Sequence, residues 1–215
     1  IFDNGIDKYH PLLLNKVVAE ACFSTRNPDR KNTPLCRKGR TVGKGINSAT
    51  VRCGFLDFAC VHGTFVAGLA AGNSLTPDYV GSGVAPQASI LAVKVVSLLK
   101  NRAVCAPATQ CQVFFDSDIL RGLNLIYSLR RKLNISSVNL SFGANVPSRY
   151  CKTTPIRRMV AKLRTANIAT IAASGNDGFG GKLTSPACIP GVISVGATNV
   201  FDAIWPLSNS APSLS

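Results

Sequence analysis

Acidic residues are scarce in this chain. Ten Asp and Glu stand against 24 Lys and Arg, a formal net charge of +14. Only 16% of residues are charged at all and 46% are hydrophobic. A disordered polyelectrolyte needs the opposite balance, so that class is excluded, and so are collagen-like and coiled-coil chains. Apolar runs of membrane-spanning length are missing too. The greasiest stretch, Ser89 to Leu99, is broken by Lys94, whereas a bilayer helix needs about 20 consecutive apolar residues. Internal repeats and low-complexity segments are lacking. No Met and no signal-peptide pattern stand at Ile1, so the chain is expected to start after processing or trimming. Metal-ligand pairs at C-x-x-C or H-x-x-x-H spacing are absent as well.

What is present is 215 residues, the size of one domain or slightly more. A chain of that length can bury about 70% of its unfolded surface. Eight Cys without metal-type spacing read as four disulfides in an oxidising compartment. Many pairings are conceivable. Cys53 and Cys60 flank a short loop and Cys105 and Cys111 another, so either pair could close locally; Cys22–Cys36 and Cys151–Cys188 would complete a set.

Along the chain, Ile1-Phe2 reads as the last piece of a strand. Residues 24–58 hold Ser, Thr, Asn, Pro and Gly without periodicity and read as irregular basic loop. Gly63 to Gly72 reads as a short helix of small residues ending at a C-terminal glycine. Ser89 to Val96 is a buried-strand candidate. Ser117 and Asp118 open a helix with Ile119, Leu120, Leu123, Ile126, Tyr127 and Leu133 near helical spacing and Arg130, Arg131 and Lys132 in its last turn, where cations are favoured. Ile135 to Ser141 follows as a strand. Pro155 starts another helix with Ile156, Met159, Val160 and Leu163 as its apolar stripe and Asn167 at its end. Ile168 to Ser174 and Gly191 to Thr198 are two further strands. Strands alternating with helices predict a mostly parallel sheet covered on both faces, a three-layer doubly wound α/β fold incomplete at both ends. In such folds the working residues lie at the carboxyl ends of the strands, which directs attention to Asp3, Ser141 and Ser174.

Asp3 stands before Asn4-Gly5, a sharp-turn pair. His62 opens the small-residue segment HGTFVAG, where Gly63, Ala67, Gly68 and Ala70 would let the helix pack closely. A base at a helix start usually needs a carboxylate that holds its tautomer. Asn176 follows a buried strand in ASGN, a turn that could aim an amide N–H into a cleft. The segments DNGIDKYHP, HGTFVAG, GVAP (Gly83 to Pro86), NLSFG (Asn139 to Gly143), ASGN (Ala173 to Asn176) and SVGAT (Ser194 to Thr198) occur in this order. Together they resemble the subtilisin-like serine peptidases, the subtilases, from Asp3 to about Asn209.

That resemblance implies an Asp-His-Ser endopeptidase. Asp3 would orient the imidazole, His62 would act as general base and then general acid, and Asn176 would donate to the oxyanion. Ser141, Phe142 and Gly143 would pair with an extended substrate through backbone hydrogen bonds. Ala173, Ser174 and Gly175 would line the pocket for the residue before the scissile bond. His10 would pack rather than react. The chemistry needs no cofactor. A structural calcium would fall in Gly72 to Val80, with Asn73 and Asp78 as oxygen donors. The expected partners are polypeptide substrates and a propeptide, for a secreted monomer.

The chain departs from the family pattern in three places. No G-T-S-x-A-like nucleophile segment occurs, and Ser208-Asn209-Ser210 matches the family's preceding F-S-N-x strand. The expectation is therefore a fragment of an active peptidase, inactive on its own; a degenerate copy is the alternative. Phe65 stands where many relatives have a second His, and Asn4 where Ser, Thr or Asp is usual. The basic residues are scattered among loops without interleaved aromatics, which reads as solvated surface and not as a nucleic-acid or membrane interface. Two other functions compete: a non-catalytic peptide binder that keeps the groove, and a basic adhesion module using residues 26–44. Asn139-Leu-Ser matches a glycosylation pattern inside an expected buried strand.

Overall fold

A computed structural model describes residues 1–29, 31–53, 58–74, 81–144, 146 and 148–214. The chain divides into two compact units, Ile1–Gly122 and Leu123–Ser215.

The first unit opens with β1 (Phe2–Asp3), then β2 (Val17–Phe23), β3 (Asn32–Pro34) and β4 (Val42–Lys44). Helix α1 (Phe58–Ala71) follows, then β5 (Ile90–Lys94), β6 (Val96–Leu99), α2 (Arg102–Cys105) and β7 (Cys111–Phe114). β5 lies between β1 and β2 and is parallel to both, while β4 closes the far side of β2 in the antiparallel sense. β6 sits between β3 and β7 in a separate antiparallel sheet. The expected strand Ser89 to Val96 is thus two strands. The break falls at Val95, whose N–H goes to the Asp3 carbonyl at 3.0 Å while the chain beyond it joins the other sheet.

Residues 24–58 were expected to be irregular, yet they hold β3 and β4. Three-residue strands carry too little periodicity to be seen locally. Their hydrogen bonds come from β6 and β2, distant in sequence. β2, also absent from the sequence reading, carries a buried Glu20 in its middle. The carboxylate is satisfied there by Lys8 at 3.2 Å, the Asn47 backbone N–H and the Thr50 hydroxyl.

α1 begins at Phe58, five residues before the expected start. Its buried face carries Ala67 and Ala71, which join Ile6, Leu13, Ala49, Ile90 and Ala92 in one apolar cluster. Phe65 and Leu69 stay largely exposed on the other side. Because both faces are apolar, no polar stripe marks the boundary. The far end of α1 is finished by the GVAP segment. The N–H groups of Gly83, Val84 and Ala85 donate to the carbonyls of Gly72, Leu69 and Ala70 at 2.7–2.9 Å, satisfying acceptors that a helix end leaves open. Gly83 must be glycine, since a Cβ there would lie 2.6 Å from the Gly68 carbonyl oxygen.

Helix α3 (Asp116–Leu129) spans the boundary between the units, with Ile119, Leu123 and Ile126 buried as expected. It ends before Arg130, so the three bases follow its last turn. The Arg130 guanidinium still reaches the Tyr127 carbonyl. The second unit contains β8 (Ser137–Leu140), α4 (Ser148–Thr153), α5 (Pro155–Thr165), β9 (Ala169–Ala173) and β10 (Ile193–Val195). β9 lies between β8 and β10, all parallel. Thr154 caps α5 through its hydroxyl and Pro155 takes the first position, where a missing N–H costs nothing. The predicted stripe of Ile156, Met159, Val160 and Leu163 is buried. Asn167, at φ +59°, turns the chain out of the helix toward β9.

All four disulfides of the expected set are present: Cys22–Cys36, Cys53–Cys60, Cys105–Cys111 and Cys151–Cys188. Among the described residues no helix is long and apolar enough to cross a membrane.

Candidate active site

Asp3 ends β1 with its backbone fixed to β5. Its side chain is buried, 1% exposed. Both carboxylate oxygens face the His62 imidazole, with Nδ1 2.8 Å from Oδ1 and 2.9 Å from Oδ2. Oδ1 also accepts the Asn4 N–H at 2.8 Å. The sequence separation is 59 residues, so this pair exists only through the tertiary fold.

Close approach of α1 to the Asp3–Gly5 turn makes the pair. A Cβ on Gly63 would meet the Gly5 carbonyl oxygen at 2.1 Å and the Asp3 Cβ at 2.9 Å. In place of that clash the Gly63 N–H donates to the Asn4 side-chain oxygen at 3.0 Å. One residue on, the Thr64 hydroxyl accepts the Asp7 N–H at 2.8 Å. Gly5, at φ +115°, lets the chain turn under the helix; a Cβ would lie 2.8 Å from the Ala49 carbonyl oxygen. Asn4 in the D-N-G turn therefore fastens helix to strand. The close packing at Gly63 was expected from its small size, whereas the roles of Asn4 and Thr64 were not read from the sequence, although both lie inside the quoted motifs.

The imidazole is 49% exposed while its carboxylate is almost wholly covered. Asp3 raises the His62 pKa above 6.5, chiefly by the hydrogen bond and further by its charge, against the desolvation that lowers it. With Nδ1 held by the acid, Nε2 is left for proton exchange. His62 is the fifth residue of α1, about one turn past the observed start at Phe58, whereas it was expected at the very start of the helix. His10 accepts the Leu12 N–H on Nδ1 at 3.3 Å and caps a short 3-10 turn at Pro11–Leu13, a structural role.

Asn176 belongs to the second unit, in an exposed bend directly after β9. Ser174 before it is buried, and its carbonyl accepts from the Thr184 hydroxyl at 3.0 Å and from Asn209 Nδ2 at 3.3 Å. Asn209 is 0% exposed. Its Oδ1 accepts the N–H groups of Asp177 and Phe179, both at 3.0 Å, and its Nδ2 also reaches Asp177 Oδ2 at 3.1 Å. Its own N–H donates to the Gly175 carbonyl at 3.0 Å. A Cβ on Gly175 would fall 2.2 Å from Asn209 Nδ2, so glycine at φ +118° makes room for the brace. One buried amide thus holds the turn on both sides of Asn176. Residues 208–210, expected as strand, are irregular apart from a bridge between Ser210 and Gly180.

Ser141, Phe142 and Gly143 leave β8 without regular structure. Ala144 and Ser185 exchange backbone hydrogen bonds at 2.8 and 2.9 Å, while the Thr184 N–H reaches the Ser174 carbonyl at 3.0 Å. Thr184-Ser185 therefore links the two segments expected to contact substrate, 141–143 and 173–175. Asn139 donates to the Ser141 hydroxyl at 2.9 Å, so its amide is engaged by the segment that follows β8. The expected calcium donor Asp78 lies outside the described residues, and Asn73 bonds through its backbone to Leu12. Among the described residues no group of three or more His, Cys, Asp or Glu could hold a metal ion.

Comparison with known proteins places these features in context. The model of the subtilase family matches residues 1–215. The chain is 31% identical over 214 residues to the intracellular serine protease of Paenibacillus polymyxa, covering 98% of this chain and 52% of that protein. Identity to the major intracellular serine protease of Bacillus subtilis is 25% over 214 residues, with coverages of 98% and 53%. Against subtilisin E of the same organism it is 32% over 202 residues, with coverages of 93% and 40%. The chain spans about half the length of the first two relatives. Among solved structures it superimposes on S41 Psychrophilic Protease with a TM-score of 0.67 at 25% identity, covering 97% of this chain and 57% of that one. Sphericase gives 0.69 at 22% identity with the same coverages, a likeness of fold. The mostly parallel α/β architecture expected from the order of elements is the one these structures share.

Proposed function

Since this chain belongs to the subtilase family, we propose that it supplies the acid–base pair and the oxyanion-side turn of a secreted serine endopeptidase. The observation that carries the reading is the contact of His62 Nδ1 with the buried Asp3 carboxylate at 2.8 and 2.9 Å. In this reading Nε2 of His62 takes the hydroxyl proton of a nucleophilic serine as its oxygen bonds to the substrate carbonyl carbon. The imidazolium then gives that proton to the departing amine. Asp3 keeps the ring in the Nδ1–H tautomer and stabilises its positive charge, and the raised His62 pKa reflects that preference. Asn176 donates its amide to the oxygen that becomes negative. Segments 141–143 and 173–175 hold the peptide extended.

The nucleophile is assigned to a serine outside residues 1–215. Ser208 is unsuited to the role: its hydroxyl is buried, accepts the Ala197 N–H at 2.9 Å and meets Ser174 Oγ at 3.3 Å. Four disulfides support an oxidising compartment, although the first two relatives are named as intracellular. The substrates are polypeptides, and the reaction draws on no cofactor.

The test is labelling of the full-length protein with a fluorophosphonate, followed by mapping of the modified peptide. The expected product is one serine adduct, lost in His62→Ala and strongly slowed in Asp3→Asn. Peptide binding with no adduct in the natural protein, and affinity indifferent to both substitutions, would replace this reading with that of a non-catalytic peptide binder.

A further inference from the structure

Three cations meet at one cavity of about 360 Å³ in the first unit, remote in function from the acid–imidazole pair. Arg37 comes from the segment after Cys36, Arg52 from the segment before Cys53, and Lys94 from the end of β5; Tyr9, Asn47 and Ser48 complete the part of the wall that matters here. No acid lines this cavity among the described residues. Among the described residues none of the three cations has a carboxylate partner, since the ion pairs found there are Lys8–Glu20, His62–Asp3 and Arg121–Asp118. The acid bonded to this rim, Glu20, is already taken up by Lys8, Asn47 and Thr50. Like charges gathered at a half-enclosed wall repel one another and raise the local concentration of anions.

Polar groups without partners sit in the same wall. Ser48 is 8% exposed and its hydroxyl has no hydrogen-bond partner, and the buried side-chain oxygen of Asn47 has none. Buried polar atoms are normally satisfied, so such a pair points to something that arrives from outside. Its chemistry is specified by what is missing. The hydroxyl and the cations call for acceptor oxygens, and the Asn47 oxygen calls for a donor. A hydrogenphosphate or a phosphate monoester carries both kinds of group, whereas a sulfate near neutral pH offers acceptors alone. Burial lowers the pKa of the Lys94 ammonium, a penalty that a bound anion would offset. Arg52 is stacked over the Tyr9 ring with its carbon 4.8 Å from the centroid, which fixes the plane of its donors at the rim.

We propose that this cavity is a phosphate-binding site, taking either inorganic phosphate or a phosphoryl group carried on a polypeptide. The site does not depend on the peptidase reading, because no residue of it takes part in proton transfer.

The full-length protein is titrated calorimetrically, at constant ionic strength, with sodium phosphate and separately with a phosphoserine peptide and its unphosphorylated twin. Saturable binding is expected with at least one phosphate probe, weakened about tenfold or more in Arg52→Gln and Lys94→Met and unchanged in Lys132→Gln. Phosphate alone binding identifies the free anion as the ligand; a preference for the phosphopeptide over its twin identifies the polypeptide source. Should Lys94→Met fail to fold, the surface variants Arg37→Gln and Arg52→Gln carry the test, together with anomalous scattering from arsenate soaked into crystals. No saturable binding by any probe, binding indifferent to the arginine substitutions, or arsenate bound only elsewhere overturns the proposal.

Discussion

Replacing Asn209 by Ala should unfasten the turn that presents Asn176. The side chain makes four hydrogen bonds, accepting from the Asp177 and Phe179 N–H groups and donating to the Ser174 carbonyl and to Asp177 Oδ2. At a net contribution of about 1 kcal/mol each, their loss costs about 4 kcal/mol. The exposed end at Asp177 reduces this to about 3 kcal/mol, a large share of the roughly 5–15 kcal/mol that holds a domain together. Urea denaturation of the full-length protein measures the change, and hydrogen exchange locates it: the Asp177 and Phe179 amides should lose protection before their neighbours in β9. Asn209→Asp separates the contributions. It keeps the acceptor for both amides, loses the donor, and sets a carboxylate against Asp177, so stability falls while the two amides remain protected. A loss below about 1 kcal/mol in Asn209→Ala, with both amides as protected as before, would refute the idea that this side chain holds the turn.

The Asp3–His62 pair should leave a pH signature. NMR titration is expected to place the His62 midpoint above 6.5, and Asp3→Asn to lower it. A raised histidine pKa stabilises the fold fully below the unfolded value and ceases to do so as pH rises through the folded one. Asp3→Asn should therefore cost more stability at about pH 5 than at about pH 9, and an equal cost at both would contradict the pairing. Gly63→Ala should push α1 away from the Asp3–Gly5 turn, costing about 3 kcal/mol in urea denaturation and abolishing fluorophosphonate labelling. Unaltered labelling would show that the helix can stand further off. Loop lengths order the disulfides: removing Cys151–Cys188, which closes 37 residues, should cost about 4 kcal/mol, and removing Cys105–Cys111, which closes six, about 2 kcal/mol by loop-closure entropy. Double Ala variants compared by thermal unfolding check the order.

How far the sequence could be read depended on where each element draws its stability. α5 was legible because Pro155, its apolar stripe and Asn167 all act within one short stretch, although its Thr154 cap was not read. β9 was legible as a short apolar run broken only by Thr170. β2 was hidden by Glu20, an acid whose burial makes sense only once Lys8, Asn47 and Thr50 surround it. β3 and β4 were hidden by their brevity. The start of α1 was lost because apolar residues cover both of its faces. Asp3, His62 and Asn176 could be named through the ordered motifs, but neither composition nor spacing showed that the first two touch. Asn209 lay in a quoted match and was passed over, since a buried amide announces its partners only in three dimensions.

The Gly83–Ala85 cap has a mechanical consequence. It ties the tail of α1 to the stretch that leads into β5, and β5 is the strand to which Asp3 is bonded. Base and acid are thereby anchored to a common reference, like two jaws on one frame. Breathing of the frame carries both along together, so their separation is insulated from strain that arises elsewhere in the first unit.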